Sequence, residues 1–396
     1  MLIWMGALVV GAIIGLLQIA WLDGVMNFVA TAYTRLFQLL AIPTIVLAVT
    51  TTLASLGKNK GAGRIFRHTI SYTLLTTLVA SAVGLLLYVL IAPGALPVEL
   101  TAEADSQLAT AGGDLSYTDH LLSVIPNNVV RPFLEGNVLS LLLLAFAVGF
   151  GLSHMPESEN KTVVVKALLG LQELLFLLIR ALVWTLPVGI VAFAAQLSAQ
   201  LTAGVVADSL GRYVAVVLGG NLLQFFVVLP LFLLLRGINP VRTLNNMLPA
   251  VLMALFTKSS AATLPVTMET AEKRQQVKPQ VARFVLPICT TINMNGCAAF
   301  ILVTSLFVMQ QGGMTLTWTT MLTWLAISVL SAVGNAGVPM GCYFLTLSLM
   351  SGIGAPVALL GIILPVYAVI DMVETAVNVW SDSCVAAMVD HDLNLS

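Results

Sequence analysis

Val369-Ile370-Asp371-Met372-Val373-Glu374-Thr375-Ala376-Val377-Asn378-Val379-Trp380-Ser381-Asp382 is the stretch that decides how this chain is read. At ~100° per residue, Asp371, Glu374, Asn378 and Asp382 lie within roughly 80° of one another on a single helical face. The remaining positions are mostly apolar. Carboxylates at membrane depth are costly, and they face a cavity or solute path rather than lipid. The stretch therefore predicts a helix lining a polar chamber, along which something charged or zwitterionic crosses a membrane.

Composition agrees. The 396 residues are 59% hydrophobic and 9% charged, with a mean hydropathy of +0.99. A soluble protein of this size needs more polar surface, so the class is a polytopic all-α membrane protein. The net charge of -1 offers no broad field for nucleic acid. Cys289, Cys297, Cys342 and Cys384 lack ligand spacing and sit in apolar surroundings. Their side chains read as small packing groups, neither disulfides nor a metal centre. His68, His120, His154 and His391 form no cluster in sequence.

Outward from the opening stretch, apolar segments at 2–22, 26–56, 69–93, 133–155, 167–198 and 211–236 each suffice for a crossing of ~20 residues. The first lacks a basic n-region and is long for a signal h-region, so it reads as a spanning helix. Several exceed a perpendicular crossing, which predicts tilt or kinks. Arg35 in the second reads as a snorkelling or helix-pairing residue, and Pro43 interrupts the same segment.

Basic residues fall in alternate loops: Lys58, Lys60, Arg64 and Arg67, then Arg236 and Arg242, then Lys273, Arg274, Lys278 and Arg283. The 94–119 loop holds Glu99, Glu103, Asp105, Asp114 and Asp119 with no Lys or Arg. The positive-inside rule places the N-terminus and the basic loops in the cytoplasm, with the C-terminus on the same side.

That orientation sets a constraint. The loops at 236–244 and 273–283 are both basic, so the apolar 245–272 between them begins and ends on one side. A re-entrant hairpin turning at Thr257-Lys258-Ser259-Ser260 satisfies this, provided protein or a wet cavity serves its backbone groups. A second interrupted segment at 318–352 breaks at Val333-Gly334-Asn335-Ala336-Gly337-Val338-Pro339. Helix 284–310 between them carries a third polar break at Thr291-Ile292-Asn293-Met294-Asn295-Gly296. Paired interruptions in an inverted arrangement mark the binding site of a secondary transporter.

These breaks resemble the dicarboxylate/amino acid:cation symporters, the glutamate-transporter homologues. The matching stretches are TKSSAATLPVTM (257–268), LPICTTINMNG (286–296), GNAGVPMG (334–341) and DMVETAVNVWSD (371–382), with YTLLTT (72–77) as a further match. IPNNVVRPFLEGNVLSLLLLAFAVGFGL (125–152) extends the likeness. The resemblance implies eight membrane helices, two re-entrant helical hairpins, inverted repeats, a homotrimer and an elevator mechanism. Residues 1–68 and 94–200 would form the scaffold of helices 1, 2, 4 and 5. Residues 69–93 and 201–396 would form the mobile domain of helices 3, 6, 7, 8 and both hairpins.

The resemblance also assigns roles. The hairpin tip at Ser259 and Ser260 and the amide of Asn378 would hold a substrate carboxylate. Backbone N–H groups at helix starts suit that anion. Asp371 would hold the ammonium with help from Thr375, and Lys258 is its charge partner. The second hairpin, including Gly337, Val338 and Pro339, would act as the gate.

Glu374 departs from the pattern. Acidic-amino-acid carriers of this family have an arginine there, whose planar fork binds a second carboxylate. A glutamate repels such substrates, and the ETAVN arrangement looks like that of the serine/threonine branch. Another polar or cationic amino acid, or cystine, would also satisfy it. Glu374 stands one turn from Asp371, which disfavours joint ionisation and raises proton coupling as an alternative.

For sodium, the co-transported ion implied by the resemblance, oxygen ligands are needed. Asn293, Asn378 and Asp382 form one candidate set, with the broken backbone of the seventh helix, Cys289 included, adding carbonyls. A second uses Thr291, Met294, Ala332, Val333 and Asn335. The family's third site relies on a carboxylate at the position of Asn295, near Thr76 and Thr77. Losing that charge predicts fewer bound sodium ions.

Two other classes compete. An intramembrane hydrolase using Ser259 or Ser260 with Lys258 lacks an oxyanion motif and an orienting third residue. A passive channel fits poorly with two gates and an internal ion site. No organic cofactor or nucleic-acid partner is expected, and compact loops favour a bacterial inner membrane.

Overall fold

The computed structural model describes residues 2–56, 63–94, 125–135, 138–201, 205–333, 335 and 340–394. The acidic 94–119 loop beyond Gly94, His120, Lys58, Lys60, Gly334 and 336–339 lie outside the described residues. Among the described residues the chain is helical, with no strand.

The first half comprises α1 (Leu2–Leu17), α2 (Ala20–Leu56), α3 (Gly63–Ile91), the short α4 (Arg131–Glu135), α5 (Val138–His154) and α6 (Glu159–Leu201). The first helix ends five residues before the predicted segment because Gln18 takes a left-handed φ of 49° and turns the chain into α2. The 37 residues of α2 and the 43 of α6 exceed the need of a single crossing, and each contains one internal proline, Pro43 or Pro187. α6 packs on α1 and α2, and α5 packs on α2.

The second half begins with α7 (Val205–Leu223), which passes through a π-helical turn, Gln224–Val228, into α8 (Leu229–Leu235). Then come two interrupted pairs around one interrupted helix: α9 (Pro240–Thr257) with α10 (Ser260–Lys273), α11 (Pro279–Ile292) with α12 (Asn295–Gln311), and α13 (Trp318–Ala332) with α14 (Gly341–Gly352). α15 (Ala358–Asn394) closes the chain. Three described stretches are long and apolar enough to cross a membrane, at 64–91, 208–235 and 279–311.

All three predicted breaks are present. The break in 284–310 is narrower than the polar run implied, because helix continues through Thr291 and Ile292 and resumes at Asn295. Within the segment 279–311, α12 is buried on nearly every face from Asn295 to Met309, which identifies it as a central element of the bundle. It packs on α3, α7, α13, α14 and α15, so its gap faces the acidic stretch of α15. At the far end, Asp392 accepts from the Tyr72 hydroxyl and from Arg236 Nη1 at 3.4 Å, tying α15 to α3 and α8.

Candidate functional site

The first hairpin turns for a legible reason. α9 stops at Lys258, whose left-handed backbone (φ 55°) suits a helix C-terminus. Ser259 is extended, and its hydroxyl accepts from Ala262 N at 3.2 Å, capping the start of α10. Lys258 Nζ then reaches the last helix and donates to the carbonyl of Ala368 at 2.7 Å. Ser260 is buried and lines the same small cavity as Asp371, Thr375 and Asn378.

The second interrupted segment resumes at Met340, again left-handed (φ 64°). Its backbone N–H donates to Asp371 Oδ2 at 3.3 Å, so a helix start meets a carboxylate. Gly341 follows because the Asn335 side chain leaves no room for a Cβ, which would sit 1.9 Å from Asn335 Oδ1. Gly337, Val338 and Pro339 lie outside the described residues.

Asp371, Glu374, Asn378 and Asp382 are all at most 3% exposed, on one face of α15. Tyr367 joins them. Its hydroxyl faces Asp371 Oδ1 at 3.4 Å and Glu374 Oε2 at 3.2 Å, so one donor serves two carboxylates. Glu374 Oε1 and Asn335 Oδ1 find no hydrogen-bond partner among the described residues. Buried acceptors without donors are costly, and they fit a ligand that brings N–H, O–H or cationic groups. The enclosed space is small, about 10 Å³.

Gly296 sets the distance between the two central helices. A Cβ there would meet Asn221 Oδ1 and the backbone of Glu374, each at 2.8 Å. Its own N–H donates to Asn378 Oδ1 at 2.9 Å. Thr375 Oγ1 donates to the carbonyl of Asp371 at 2.7 Å, within its own helix.

A second network lies deeper. Asn293 Nδ2 donates to Asp382 Oδ1 at 2.9 Å and to Ser381 Oγ at 3.0 Å. Asn293 Oδ1 accepts from Thr76 at 3.2 Å and from Asn295 Nδ2 at 2.8 Å. Thr77 Oγ1 lies 3.4 Å from that same Asn295 nitrogen. Thus Asn293, Asn295, Asp382, Thr76 and Thr77 form one buried cluster, joining residues assigned by resemblance to two different sites. The Cys289 carbonyl accepts from Asn293 N at 2.8 Å, beside it. Of the remaining candidates, Thr291 donates to its own helix at Ile288, Met294 and Asn335 line the cavity, and Ala332 accepts from Asn335 N at 3.1 Å. Val333 caps the C-terminal end of α13.

Two features escape a reading of the chain alone. Tyr367 stands at i−4 and i−7 from the carboxylates, a spacing that marks the same face. Gln224 sits at the π-turn of α7–α8 and donates to Asn295 Oδ1 at 2.6 Å. Its one signal is an amide inside an otherwise apolar helix. The packing reading of the cysteines is corrected for one pair. Cys297, in the first turn of α12, and Cys342, in the first turn of α14, form a disulfide with Cα atoms 5.5 Å apart. Spacing in sequence could not reveal it, because 45 residues separate them. Cys289 and Cys384 are free and buried, as packing groups would be.

The sequence matches the profile of the sodium:dicarboxylate symporter family over residues 2–392. It is 30% identical over 391 residues to neutral amino acid transporter B(0) of Oryctolagus cuniculus, covering 90% of this chain and 72% of that protein. It is 29% identical over 398 residues to neutral amino acid transporter A of Homo sapiens, covering 90% and 74%. Against excitatory amino acid transporter 1 of Ambystoma tigrinum it is 26% identical over 419 residues, covering 92% and 77%. These relatives are transporters, not enzymes, and the hydrolase alternative is set aside. This chain belongs to the sodium:dicarboxylate symporter family of integral membrane transporters.

Proposed function

We propose that this chain is a sodium-coupled symporter that imports a small neutral amino acid, with serine or threonine as its substrate. Asp371 takes the substrate ammonium. The backbone at the hairpin tips, Ser260 and the amide of Asn378 take the carboxylate. Glu374 accepts from the side-chain hydroxyl. The observation that carries the reading is the pair of buried carboxylates sharing the Tyr367 hydroxyl, with Glu374 Oε1 left without a donor among the described residues. A second carboxylate on the substrate would meet repulsion there, whereas a hydroxyl supplies the missing donor. The relatives named neutral amino acid transporters support the same class.

Sodium binds, in this reading, at the Asn293–Asp382 network with Asn378 as a further ligand, and a second ion binds near Thr291, Met294 and the end of α13. Cation binding brings the Asp382 carboxylate the charge that Asn293 alone does not offer it. Asn295, already hydrogen-bonded on both ends, makes a poor third site. The scaffold of 1–68 and 94–200, the mobile domain of 69–93 and 201–396, the homotrimer and the elevator motion belong to the same proposal. So does a bacterial inner membrane with both termini cytoplasmic. Support for the division comes from the packing of α1, α2, α5 and α6 as one group.

The test is competition against sodium-driven uptake in proteoliposomes, with serine, threonine, alanine, aspartate, lysine and cystine as competitors. Serine and threonine should compete best and aspartate poorly. Dominant competition by lysine or aspartate would defeat the proposal.

A further inference from the structure

The structure places two sulfurs and a carboxylate together in the small cavity. The Sγ atoms of Cys297 and Cys342 and a carboxylate oxygen of Glu374 all lie within 4.8 Å of one another, and all three residues are buried. Each cysteine sits in the first turn of a helix, α12 or α14, where the partly positive end favours an anionic ligand. Amide donors already point at the sulfurs. Asn335 Nδ2 lies 3.0 Å from Cys297 Sγ and 3.2 Å from Cys342 Sγ, and Asn378 Nδ2 lies 3.3 Å from Cys297 Sγ. Such outer N–H groups orient and stabilise metal-bound thiolates. Independently of the sulfurs, Glu374 Oε1 is buried and has no hydrogen-bond partner among the described residues.

We infer that Cys297, Cys342 and Glu374, once the disulfide is reduced, form a binding site for a soft divalent cation of the zinc and cadmium class. Two thiolates and one carboxylate are a three-ligand set that leaves a fourth position open. Sodium prefers hard oxygen donors, so thiolates select against it, and the site is separate in chemistry from the oxygen cluster at Asp382. Because the sulfurs span α12 and α14, the metal would bridge the return arm of the second hairpin to the broken central helix. Bound there, it occupies the space enclosed by Asp371 and Asn378. Reduction by a water-soluble phosphine balances: the S–S bond breaks, water supplies the oxygen of the phosphine oxide, and two thiols form. Metal binding then releases the two thiol protons. This inference goes beyond the transport reading and does not depend on it.

The test uses the purified full chain in nanodiscs with cadmium as probe, read by cadmium–thiolate charge-transfer absorption. The phosphine-reduced protein should saturate at one cadmium per chain, and the oxidised protein should give no band. C297A and C342A should each lose the band, and E374Q should move half-saturation to higher cadmium. Excess zinc should bleach the band by displacement. The comparison of oxidised with reduced wild-type protein needs no variant, so it decides even if a variant misfolds. A reduced wild type without the band overturns the inference, as does a band that persists in folded C297A or C342A.

Discussion

Gln224 donates its side-chain amide to Oδ1 of Asn295 at 2.6 Å, from a π-turn inside an apolar helix. π-Turns inside helices recur at functional sites because they re-aim a side chain without ending the helix. Here the turn aims an N–H donor at Asn295, the position at which the resemblance predicts a weakened third sodium site. The Asn295 oxygen is thereby occupied, and its nitrogen donates to Asn293 Oδ1. A neutral, donor-capped amide offers a cation little. Sodium activation of uptake should therefore give a Hill coefficient below three. Asn295→Asp combined with Gln224→Ala should raise it, which sodium titration in proteoliposomes would read directly.

Glu374 gives the second prediction. Replacing it with Gln removes the charge while keeping an oxygen that can accept from the Tyr367 hydroxyl. If Glu374 carries a proton in the cycle, uptake by wild type will depend on external pH and uptake by Glu374→Gln will not. Glu374→Arg should lose serine uptake by at least about tenfold, since a donor replaces the acceptor at a buried polar contact. Acidic amino acids should then gain relative to serine in the same competition assay.

The first break was legible because two basic loops bracket an apolar stretch with a polar run at its middle, and its local cause emerges from the structure. Lys258-Ser259 stops and restarts a helix by a left-handed cap and a serine N-cap, and both signals stand in adjacent residues. The shared face of Asp371, Glu374, Asn378 and Asp382 follows from helical spacing alone. Contacts that depend on how helices meet were not legible. The Cys297–Cys342 bond joins two helix starts 45 residues apart, and the Gln224–Asn295 contact spans 71. The overlap of Asn295, Thr76 and Thr77 with Asn293 and Asp382 likewise needs the packing of α3 on the central helix. Periodicity reports which face is polar, not which neighbour it meets.

At the foot of the first hairpin, Arg283 Nε donates to Glu272 Oε1 at 2.7 Å and Nη2 to Oε2 at 3.1 Å. This fork holds the Glu272 carboxyl below its ordinary value, chiefly through the hydrogen bonds. A depressed carboxylate contributes stability above its unfolded pKa and loses it as pH falls through the folded one. Glu272→Gln should therefore lower the melting temperature at neutral pH, with the gap from wild type closing in acid. A differential scanning series across pH checks this, and a gap that widens in acid would contradict it.

Gly296 supplies the last prediction. Its Cβ position is blocked at 2.8 Å by Asn221 Oδ1 and the Glu374 backbone, and backbone cannot swing aside as a side-chain tip can. Gly296→Ala must push α12 from α15, at a cost of about 1–3 kcal/mol for overpacking. The same displacement stretches the Gly296 N–H bond to Asn378 Oδ1, now 2.9 Å. Both stability and substrate affinity should fall together. Gly170→Ala is the matched control, because no atom lies within 4 Å of its Cβ position in α6. Alanine there should change stability by no more than about 1 kcal/mol, in the stabilising direction expected for a helix interior. Thermal unfolding in detergent, with and without serine, separates the two effects: Gly296→Ala should lower the midpoint and shrink the serine-induced shift, and Gly170→Ala should do neither.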